Sequence, residues 1–270
     1  MSNQDHTGND APAVVPMVHT PRVAWVFGSG GPRGFVHVGV LKALAELRLV
    51  PDLIVGASVG ALVGTLAAAG LGAARIEHLA LDLQPWQFLR WQPVGDERFS
   101  GSALAALVER EVGHRPLQAL PTPMVCVAQR LRDGVVVGFN HGSAGLAVQA
   151  AAAIEGQFGP LRVHGERYAD ADLRMPLPVR MARALGATQV LAVDASAHED
   201  HAPAGTQAYR AADLRKRALT QPDAAVATVL LHPEFGYWAG ISHAFREKAI
   251  AAGYRTTMAQ SAALRAMHAA

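Results

Sequence analysis

Cysteine is nearly missing from this chain of 270 residues, whose single thiol is Cys126. One cysteine excludes an intrachain disulfide. Cys126 lies in the apolar run 124–128, so we expect it to be a buried core residue and not a nucleophile. The chain also lacks an HExxH pattern, a paired His–Cys motif and an acidic cluster. We therefore expect neither a metal site nor a cofactor.

Charged residues are scarce at 17%, and the formal net charge is only +2. Such a small charge gives no support for a polyanionic partner. A basic run at residues 210–217, with Arg215, Lys216 and Arg217 adjacent, lies in a predicted helix. No aromatic side chains alternate with these charges, as binding of single-stranded nucleic acid would require. We interpret the run as a solvated helix face, with a lipid-headgroup or nucleic-acid patch as alternatives, and expect no nucleic-acid partner.

An apolar secretory segment is lacking at the amino terminus, where residues 1–20 are polar and contain proline. From this composition we expect a disordered tail over residues 1–21, one domain over residues 22–267 and a cytoplasmic location. Hydrophobic residues make up 50% of the chain, which is enough to build the core of a single α/β domain.

An uncharged stretch at residues 53–74 is long enough to cross a bilayer, and Gly56, Gly60 and Gly64 place a small residue at every fourth position. Much of the stretch is glycine and alanine, however, and Ser58 interrupts it. We therefore predict a buried strand followed by a buried helix instead of a membrane span.

Residues 56–60 of this stretch read Gly-Ala-Ser-Val-Gly, a G-x-S-x-G pattern between an apolar run and a predicted helix. This order is typical of a nucleophile elbow, in which a sharp turn exposes the serine hydroxyl. Gly56 and Gly60 stand two positions on either side and let the strand and the helix pass closely. Ser58 is therefore the candidate nucleophile.

A second glycine-rich motif follows the strand predicted at residues 24–27, where residues 28–34 read Gly-Ser-Gly-Gly-Pro-Arg-Gly. Backbone N–H groups in such a loop, with a helix behind them, bind a phosphate or an oxyanion. A dinucleotide fingerprint requires G-x-G-x-x-G, whereas Gly28, Gly30 and Gly34 are spaced as G-x-G-x-x-x-G. Asp52 lies at a sequence distance suited to a ribose contact, so a dinucleotide-binding protein stays open as an alternative.

A candidate general base comes third along the chain, where residues 168–173 read Tyr-Ala-Asp-Ala-Asp-Leu. Asp170 ends a predicted short strand between small residues, so its carboxylate can approach a serine. In this order the glycine loop, the G-x-S-x-G pattern and the acid resemble the patatin-like phospholipase family. The resemblance runs from about residue 22 to residue 267 and includes the segments 35–41, 153–160 and 251–254.

The resemblance implies a three-layer α/β/α sandwich with a mainly parallel central sheet, and an enzyme that cleaves fatty acyl esters. It implies that Ser58 and Asp170 form a Ser-Asp dyad without a catalytic histidine. It also implies that the N–H groups of Gly30 and Gly31 form the oxyanion hole and that Arg33 braces their loop. The expected partner is a lipid or other acyl ester, with transient contact at a membrane surface left open and no oligomeric state assigned.

Several residues depart from the pattern of this family. Residues 170–172 read Asp-Ala-Asp where the family has Asp-Gly-Gly or Asp-Gly-Ala, which adds the carboxylate of Asp172 beside the dyad and tends to raise the pKa of one acid. We expect a local turn that directs Asp172 to solvent. The other departures are Ser29, Glu155, Gln129 and Arg130.

Four histidines follow both members of the dyad in the chain, in the order that a conventional Ser-Asp-His triad would need. These are His198, His201, His232 and His243, and none has a motif around it. We expect surface or helix-capping residues, with His198 and His201 in a loop. The tryptophan-rich stretch at residues 83–91 is interpreted either as a flexible apolar lid or as packing against the sandwich.

The remaining chain alternates strand and helix patterns, which is typical of a parallel sheet covered on both faces. We predict strands at residues 125–131, 135–139, 190–193 and 226–231, and helices at residues 145–154, 178–185 and from 242. The predicted function is a serine hydrolase of fatty acyl esters. The alternatives are a catalytically silent relative that binds lipid or protein, and a dinucleotide-binding protein.

Overall fold

A central sheet of eight strands organises the molecule in the computed structural model, which describes residues 5–8, 10–17, 20–82, 84, 90–91 and 99–270. The strands are β1 (Val23–Phe27), β2 (Leu53–Ala57), β3 (Arg90–Trp91), β4 (Phe99–Ser100), β5 (Met124–Arg130), β6 (Val136–Phe139), β7 (Leu161–Val163), β8 (Glu166–Asp170), β9 (Gln189–Val193) and β10 (Val229–Leu231). The helices are α1 (Phe35–Glu46), α2 (Val59–Ala68), α3 (Ala73–Asp82), α4 (Ser102–Val112), α5 (Ala144–Ala151), α6 (Val179–Ala184), α7 (Arg210–Ala224), α8 (His243–Ala259) and α9 (Ser261–Ala269).

The strand order in the sheet is β10-β9-β1-β2-β5-β8-β7, and β6 pairs with β5 away from this path. Strands β10, β9, β1, β2 and β5 run parallel, whereas β6 and β8 pair antiparallel with β5 and β7 pairs antiparallel with β8. Every residue of β1 and β2 is buried, as expected for central parallel strands covered on both faces. The mainly parallel sheet predicted from the sequence is confirmed.

Helices cover both faces of the sheet, because alternate residues of each strand point to opposite sides. On one face Trp25 and Phe27 of β1 belong to a core that includes residues of α1, α2, α5 and α8. On the other face Ala24 and Val26 pack with residues of α6. The three-layer α/β/α arrangement is therefore also confirmed.

Helices α1 and α8 approach each other so closely that their backbones touch. A Cβ atom on Gly39 of α1 would lie 1.8 Å from the carbonyl oxygen of Ile250 in α8. A Cβ atom on Gly253 of α8 would lie 2.1 Å from the carbonyl oxygen of Val36 in α1. Each helix thus contributes one glycine, and any larger residue at either position would prevent so close an approach of the two helices.

Residues 53–74 form β2, α2 and the start of α3, as the sequence predicts. Within the described residues, no helix combines the length and the apolar content that crossing a membrane requires. Cys126 lies in β5, where burial raises the pKa of its thiol to about 12. Its sulfur contacts the Thr65 hydroxyl of α2 at 3.5 Å.

The amino-terminal segment differs from the expectation of a disordered tail. His6 pairs with Val163 of β7, and Ala13 pairs with His141. The side chain of Asn140 donates a hydrogen bond to the carbonyl of Val15 at 2.6 Å and accepts one from its N–H at 2.9 Å. The described residues before β1 contact the cores on both faces of the sheet, since Ala11 belongs to the core of Trp25 and Phe27 and Met17 packs against that of Ala24 and Val26.

Candidate active site

Ser58 occupies the sharp turn between β2 and α2. Its backbone has φ of 54° and ψ of −126°, a strained conformation for a residue with a side chain. A Cβ on Gly56 would lie 2.4 Å from the carbonyl oxygen of Gly60, and a Cβ on Gly60 would lie 2.1 Å from that of Phe27. Both glycines are therefore required for the close passage of strand and helix that the G-x-S-x-G pattern predicts.

The glycine loop connects β1 to α1 beside this turn. Gly31 has φ of 51°, in the left-handed region that favours glycine. Gly30 contacts the segment after β9, because a Cβ on it would lie 2.8 Å from the Cβ of Ala195. Among the described residues, no hydrogen-bond acceptor faces the N–H groups of Gly30 and Gly31. Both groups are available to a ligand in the cavity that they line with Ser58.

Asp170 ends β8 and is buried beside Ser58. Its Oδ1 accepts a hydrogen bond from the N–H of Asp172 at 2.8 Å. The pKa of Asp170 is raised to about 7, chiefly by burial; the interaction with the Ser58 hydroxyl lowers this pKa, and the nearby charge of Asp172 raises it. Oδ2 of Asp170 is buried and has no hydrogen-bond partner in the described residues.

Asp172 lies in a turn after β8, as the sequence predicts, but its carboxylate does not point freely to solvent. It accepts hydrogen bonds from the Ser29 hydroxyl and from the ammonium group of Lys216. Lys216 also donates to the Ser29 hydroxyl at 2.5 Å. The second acid therefore links its own loop to the glycine loop and to α7.

Lys216 is a site residue that the sequence analysis assigned to a solvated helix face. Only 20% of its side chain is exposed, and it lines the cavity that also contains Ser58 and Asp170. The extra carboxylate of Asp172 is the sequence feature that points to such a residue, because two neighbouring acids, one of them buried, favour a cation nearby. The cation itself could have come from any of several helices.

The cavity has a volume of about 300 Å³ and lies at the carboxyl ends of the parallel strands. It brings together five residues predicted for the site, namely Gly30, Gly31, Arg33, Ser58 and Asp170. The other predicted residues, Gly28, Gly34, Gly56 and Gly60, shape the turns behind it. A Cβ on Gly34 would lie 2.3 Å from a methyl group of Val59, and one on Gly28 would lie 3.0 Å from the carbonyl oxygen of Val193.

Arg33 joins the glycine loop to the segments that follow β9 and β10. Its Nε donates to the carbonyl of Ala195 at 3.0 Å, and its Nη1 donates to those of Gly236 at 2.7 Å and Tyr237 at 3.1 Å. Its guanidinium group lies 4.3 Å from the ring centroid of Phe235. This geometry suits the bracing role that the sequence resemblance implies.

His37 supports the glycine loop from inside α1, although no sequence motif assigns this residue an individual role. The residue is fully buried, and burial lowers its pKa to about 4, so the imidazole is neutral near pH 7. Its Nε2 lies 2.8 Å from the carbonyl oxygen of Gly28. Because a carbonyl accepts only, Nε2 carries the proton and donates it.

The four candidate triad histidines lie away from the nucleophile, and within the described residues no imidazole is hydrogen bonded to Ser58. His243 begins α8 and His201 is exposed, as expected for surface residues. His198 differs, because only 23% of its side chain is exposed. Of the proposed lid at residues 83–91, Leu83 and residues 85–89 lie outside the described residues.

Asp52 does not occupy the position that a ribose contact would require. Its carboxylate accepts hydrogen bonds from the N–H groups of Arg22 at 3.0 Å and Val23 at 2.7 Å, at the start of β1. The glycine loop follows the opposite end of that strand. This geometry removes the acidic residue on which the dinucleotide alternative depended.

Comparison with known proteins identifies the family to which this arrangement belongs. The sequence matches the Patatin-like phospholipase family over residues 25–183. The chain belongs to the patatin-like phospholipase family. The matched region contains the glycine loop, the serine turn and Asp170, so the family suggested by these motifs is confirmed.

Curated relatives of this patatin-like chain match about two thirds of its length. An uncharacterized NTE family protein of Mycobacterium tuberculosis is 34% identical over 186 residues, which are 67% of this chain and 51% of the relative. Human patatin-like phospholipase domain-containing protein 6 is 30% identical over 186 residues, which are 66% of this chain and 14% of the relative. The chain thus spans about half the length, or less, of these relatives.

The patatin-like fold also has a counterpart among solved structures. VipD from Legionella pneumophila superposes with a TM-score of 0.57 at 13% sequence identity. The match covers 92% of this chain and 67% of the VipD chain. At this identity the likeness shows the shared fold.

Proposed function

We propose that this patatin-like protein is a serine hydrolase that cleaves fatty acyl esters. The observation that carries the proposal is the convergence of three groups on one cavity: the strained Ser58, the buried carboxylate of Asp170, and the two unpaired N–H groups of Gly30 and Gly31. A nucleophile, a base and a pair of oxyanion donors are the parts that acyl transfer requires.

In this mechanism the Ser58 Oγ forms a bond to the acyl carbon while its proton passes to Asp170. The carbonyl oxygen becomes an oxyanion and accepts hydrogen bonds from Gly30 and Gly31. The ester C–O bond then breaks, and Asp170 returns the proton to the departing alcohol. Water attacks the acyl-enzyme, again giving its proton to Asp170, which passes it to Ser58 and releases the fatty acid.

The raised pKa of Asp170 suits this role. A general base works best when its pKa lies near the operating pH, because it must be deprotonated at rest and still hold the proton during the reaction. A carboxylate with its usual pKa near 4 would be a poor acceptor for a serine proton. Burial, which raises the pKa of Asp170 to about 7, supplies the basicity that an imidazole supplies in a triad.

The family and the size of the cavity support the proposed substrate class. About 300 Å³ accommodates an ester group with the adjoining parts of its acyl chain and alcohol, but not a complete diacyl lipid. We therefore propose that the remainder of a lipid substrate stays outside the cavity, with transient contact at a lipid surface. Nucleic acid is not proposed as a partner.

The decisive experiment combines ester hydrolysis with fluorophosphonate labelling. Ser58→Ala should abolish hydrolysis of a short-chain p-nitrophenyl ester and should abolish labelling, with a melting temperature within a few degrees of the wild type. Ser196→Ala is the matched control, because Ser196 lines the same cavity without a proposed role in the reaction. It should keep both activities.

A catalytically silent lipid-binding protein is the second candidate, and the acidic pair favours it. Asp172 adds a negative charge beside a carboxylate that is already hard to ionise. Wild-type protein that is folded, binds lipid vesicles and resists the fluorophosphonate would establish this alternative and reject the hydrolase. Labelling that persists in Ser58→Ala would reject the proposed nucleophile.

A further inference from the structure

Two histidines and a glutamate meet beside the cavity on segments that follow neighbouring strands. His198 and His201 follow β9, with His201 ending the short helical turn Glu199–His201. Glu234 follows β10. Because β9 and β10 are adjacent and parallel, their carboxyl ends lie at the same edge of the sheet and bring these side chains together.

The nitrogen and oxygen atoms of this cluster have the spacing of metal ligands. Nδ1 of His201 lies 3.1 Å from Oε2 of Glu234, and Nε2 of His198 lies 3.5 Å from the same oxygen. All three atoms lie within 4.8 Å of one another. Tetrahedral zinc with bonds of about 2.0–2.1 Å separates its ligand atoms by about 3.3 Å. The separation of 3.5 Å also exceeds the ordinary range of an N–H···O hydrogen bond.

We propose that His198, His201 and Glu234 bind a divalent transition-metal ion of the zinc class. Imidazole nitrogens with one carboxylate oxygen suit Zn²⁺, Co²⁺ or Ni²⁺, whereas Ca²⁺ and Mg²⁺ require ligand sets dominated by oxygen. Three protein ligands leave a fourth position for water. This inference does not depend on the hydrolase proposal, because it rests on a separate group of residues.

Neighbouring groups restrain two of the three proposed ligands, Glu234 and His198. The second oxygen of Glu234, Oε1, accepts a hydrogen bond from the N–H of Gly236 at 2.7 Å, which leaves Oε2 to the histidines. The ring of His232 stacks on that of His198, with centroids 3.6 Å apart. Nε2 of His232 in turn lies 3.0 Å from the carbonyl oxygen of Ser196. Such outer contacts orient ligands in metal sites.

A metal ion would displace two hydrogen bonds of the metal-free protein, one of which joins Nδ1 of His201 to Oε2 of Glu234 at 3.1 Å. Nε2 of His198 lies 3.2 Å from the carbonyl oxygen of His232, so in that state it carries the proton and donates. On binding the metal, this nitrogen offers its lone pair instead, and the imidazole proton resides on Nδ1. Because this lone pair takes the direction of the former N–H bond, the rearrangement also needs a rotation of the ring away from the carbonyl oxygen of His232.

The position of the cluster gives the ion a structural effect on the active site. The ion would connect the segments after β9 and β10, and Arg33 connects the same two segments to the glycine loop through Ala195 and Gly236. Ser196 and Ala197, which precede the first ligand, line the cavity. Metal binding should therefore stabilise the wall of the cavity that faces the oxyanion donors.

The test is titration of Zn²⁺ into chelator-treated protein without a histidine tag, followed by calorimetry and thermal melting. We expect one Zn²⁺ per wild-type chain and a higher melting temperature in its presence. His201→Ala and Glu234→Gln should weaken this binding by about tenfold or more and remove the thermal shift. Ca²⁺ and Mg²⁺ should produce neither effect.

His243→Ala is the matched control, because His243 is exposed and pairs with one carboxylate, that of Glu247, at 3.3 Å. It should bind Zn²⁺ like the wild type. His201 is exposed, so its replacement should leave the fold intact, which circular dichroism checks. Binding by His201→Ala as tight as that of the wild type, absence of stoichiometric binding, or loss of binding in His243→Ala would overturn the proposal.

A crystal structure with Co²⁺ or Zn²⁺ gives an independent answer. Anomalous scattering between His198, His201 and Glu234 would support the proposal, and an ion bound only elsewhere would overturn it. The absorption spectrum of bound Co²⁺ distinguishes a tetrahedral site, which we expect, from an octahedral one.

Discussion

At the scale of single residues, two neighbours with opposite charges act on Asp170. The carboxylate of Asp172 raises its pKa and the ammonium group of Lys216 lowers it. If ionised Asp170 is the base, activity should rise with pH through the region near pH 7. Asp172→Asn should move this rise to lower pH, and Lys216→Met should move it to higher pH.

The measurement is the pH dependence of kcat/KM for a soluble ester. Arg215→Met serves as the control, since Arg215 is an exposed neighbour of Lys216 on α7 and does not line the cavity. It should leave the profile in place. Shifts of the same sign in the two test variants would contradict the assignment of Asp170 as the titrating base.

The buried carboxyl of Asp170 should also lower the stability of the protein at neutral pH. Its pKa is about 7 in the native state and 3.8 as the ordinary value, so the native state binds the proton more tightly than the unfolded chain. The stability contribution of Asp170 therefore falls as pH rises from about 4 to 7. The Asp170→Asn variant should have a melting temperature several degrees above that of the wild type at pH 8, because each kcal/mol of unfolding free energy shifts the melting temperature of a protein of this size by about 2–4 °C.

Thermal melting of both proteins between pH 4 and pH 8 tests this expectation. The difference in melting temperature should shrink towards pH 4, where the wild-type carboxyl is protonated in the native state. A difference of constant size across this range would show that the gain does not come from ionisation of Asp170.

The residues of the site were predictable to different extents. Ser58 and the glycines could be found because a sharp turn and a close backbone contact restrict the residue type at fixed spacings. Lys216 could not, because 44 residues separate it from Asp172 and no local pattern records which helix face meets the turn after β8. For the same reason no sequence pattern indicates the cluster of His198, His201 and Glu234, because 33 residues separate His201 from Glu234.

At the scale of secondary-structure elements, the contact between α1 and α8 depends on glycine. Gly39→Ala should lower the melting temperature markedly, because the new Cβ meets the carbonyl oxygen of Ile250, which belongs to a helix backbone and cannot rotate away. We expect a loss of about 1–3 kcal/mol or more. Chemical denaturation measures it.

Gly72→Ala provides the comparison for this substitution. A Cβ on Gly72 would have nothing within 4 Å, and the residue is exposed before α3. The free energy of unfolding of the Gly72→Ala variant should stay within about 0.5 kcal/mol of the wild-type value. If both variants lost the same free energy of unfolding, the cause would be the loss of glycine flexibility and not the contact between α1 and α8.

Most strands and helices were predicted to within a few residues because buried runs bounded by turns are strong patterns. The strand predicted at residues 226–231 begins instead at Val229, since the apolar residues before it belong to the turn after α7. The strands predicted at residues 125–131 and 135–139 form the antiparallel pair β5–β6, whereas strand β7 and its antiparallel pairing with β8 were not predicted. The β7–β8 hairpin turns at His164 and Gly165, both with positive φ, and histidine is uncommon at the first of these positions.

At the scale of the whole molecule, the carboxyl edge of the sheet gathers segments that are remote in sequence, and Arg33 holds three of them together. Arg33→Lys removes the planar fork that reaches Ala195, Gly236 and Tyr237 at once. We expect kcat to fall by up to about 100-fold, because the proposed oxyanion donors, Gly30 and Gly31, lose their position. The KM should change less.

Steady-state kinetics on a p-nitrophenyl ester provides the measurement, with Arg255→Lys as the control at an exposed arginine of α8. The control should match the wild type. Full activity in Arg33→Lys would mean that the glycine loop keeps its shape without the planar guanidinium group.

The fold class could be predicted from the alternation of strands and helices. The loops that meet at the carboxyl edge could not, because their meeting depends on the register of the whole sheet and no single segment carries a pattern for it.

The single buried thiol makes the protein well suited to spectroscopic study. Because burial raises the pKa of Cys126 to about 12, the native chain should resist thiol reagents that act through the thiolate. Leu173, next to Asp172, is 56% exposed, so Leu173→Cys would create one reactive position on the loop of the acid. A nitroxide or fluorophore attached there would report motion of that loop during turnover without any need to remove the natural cysteine.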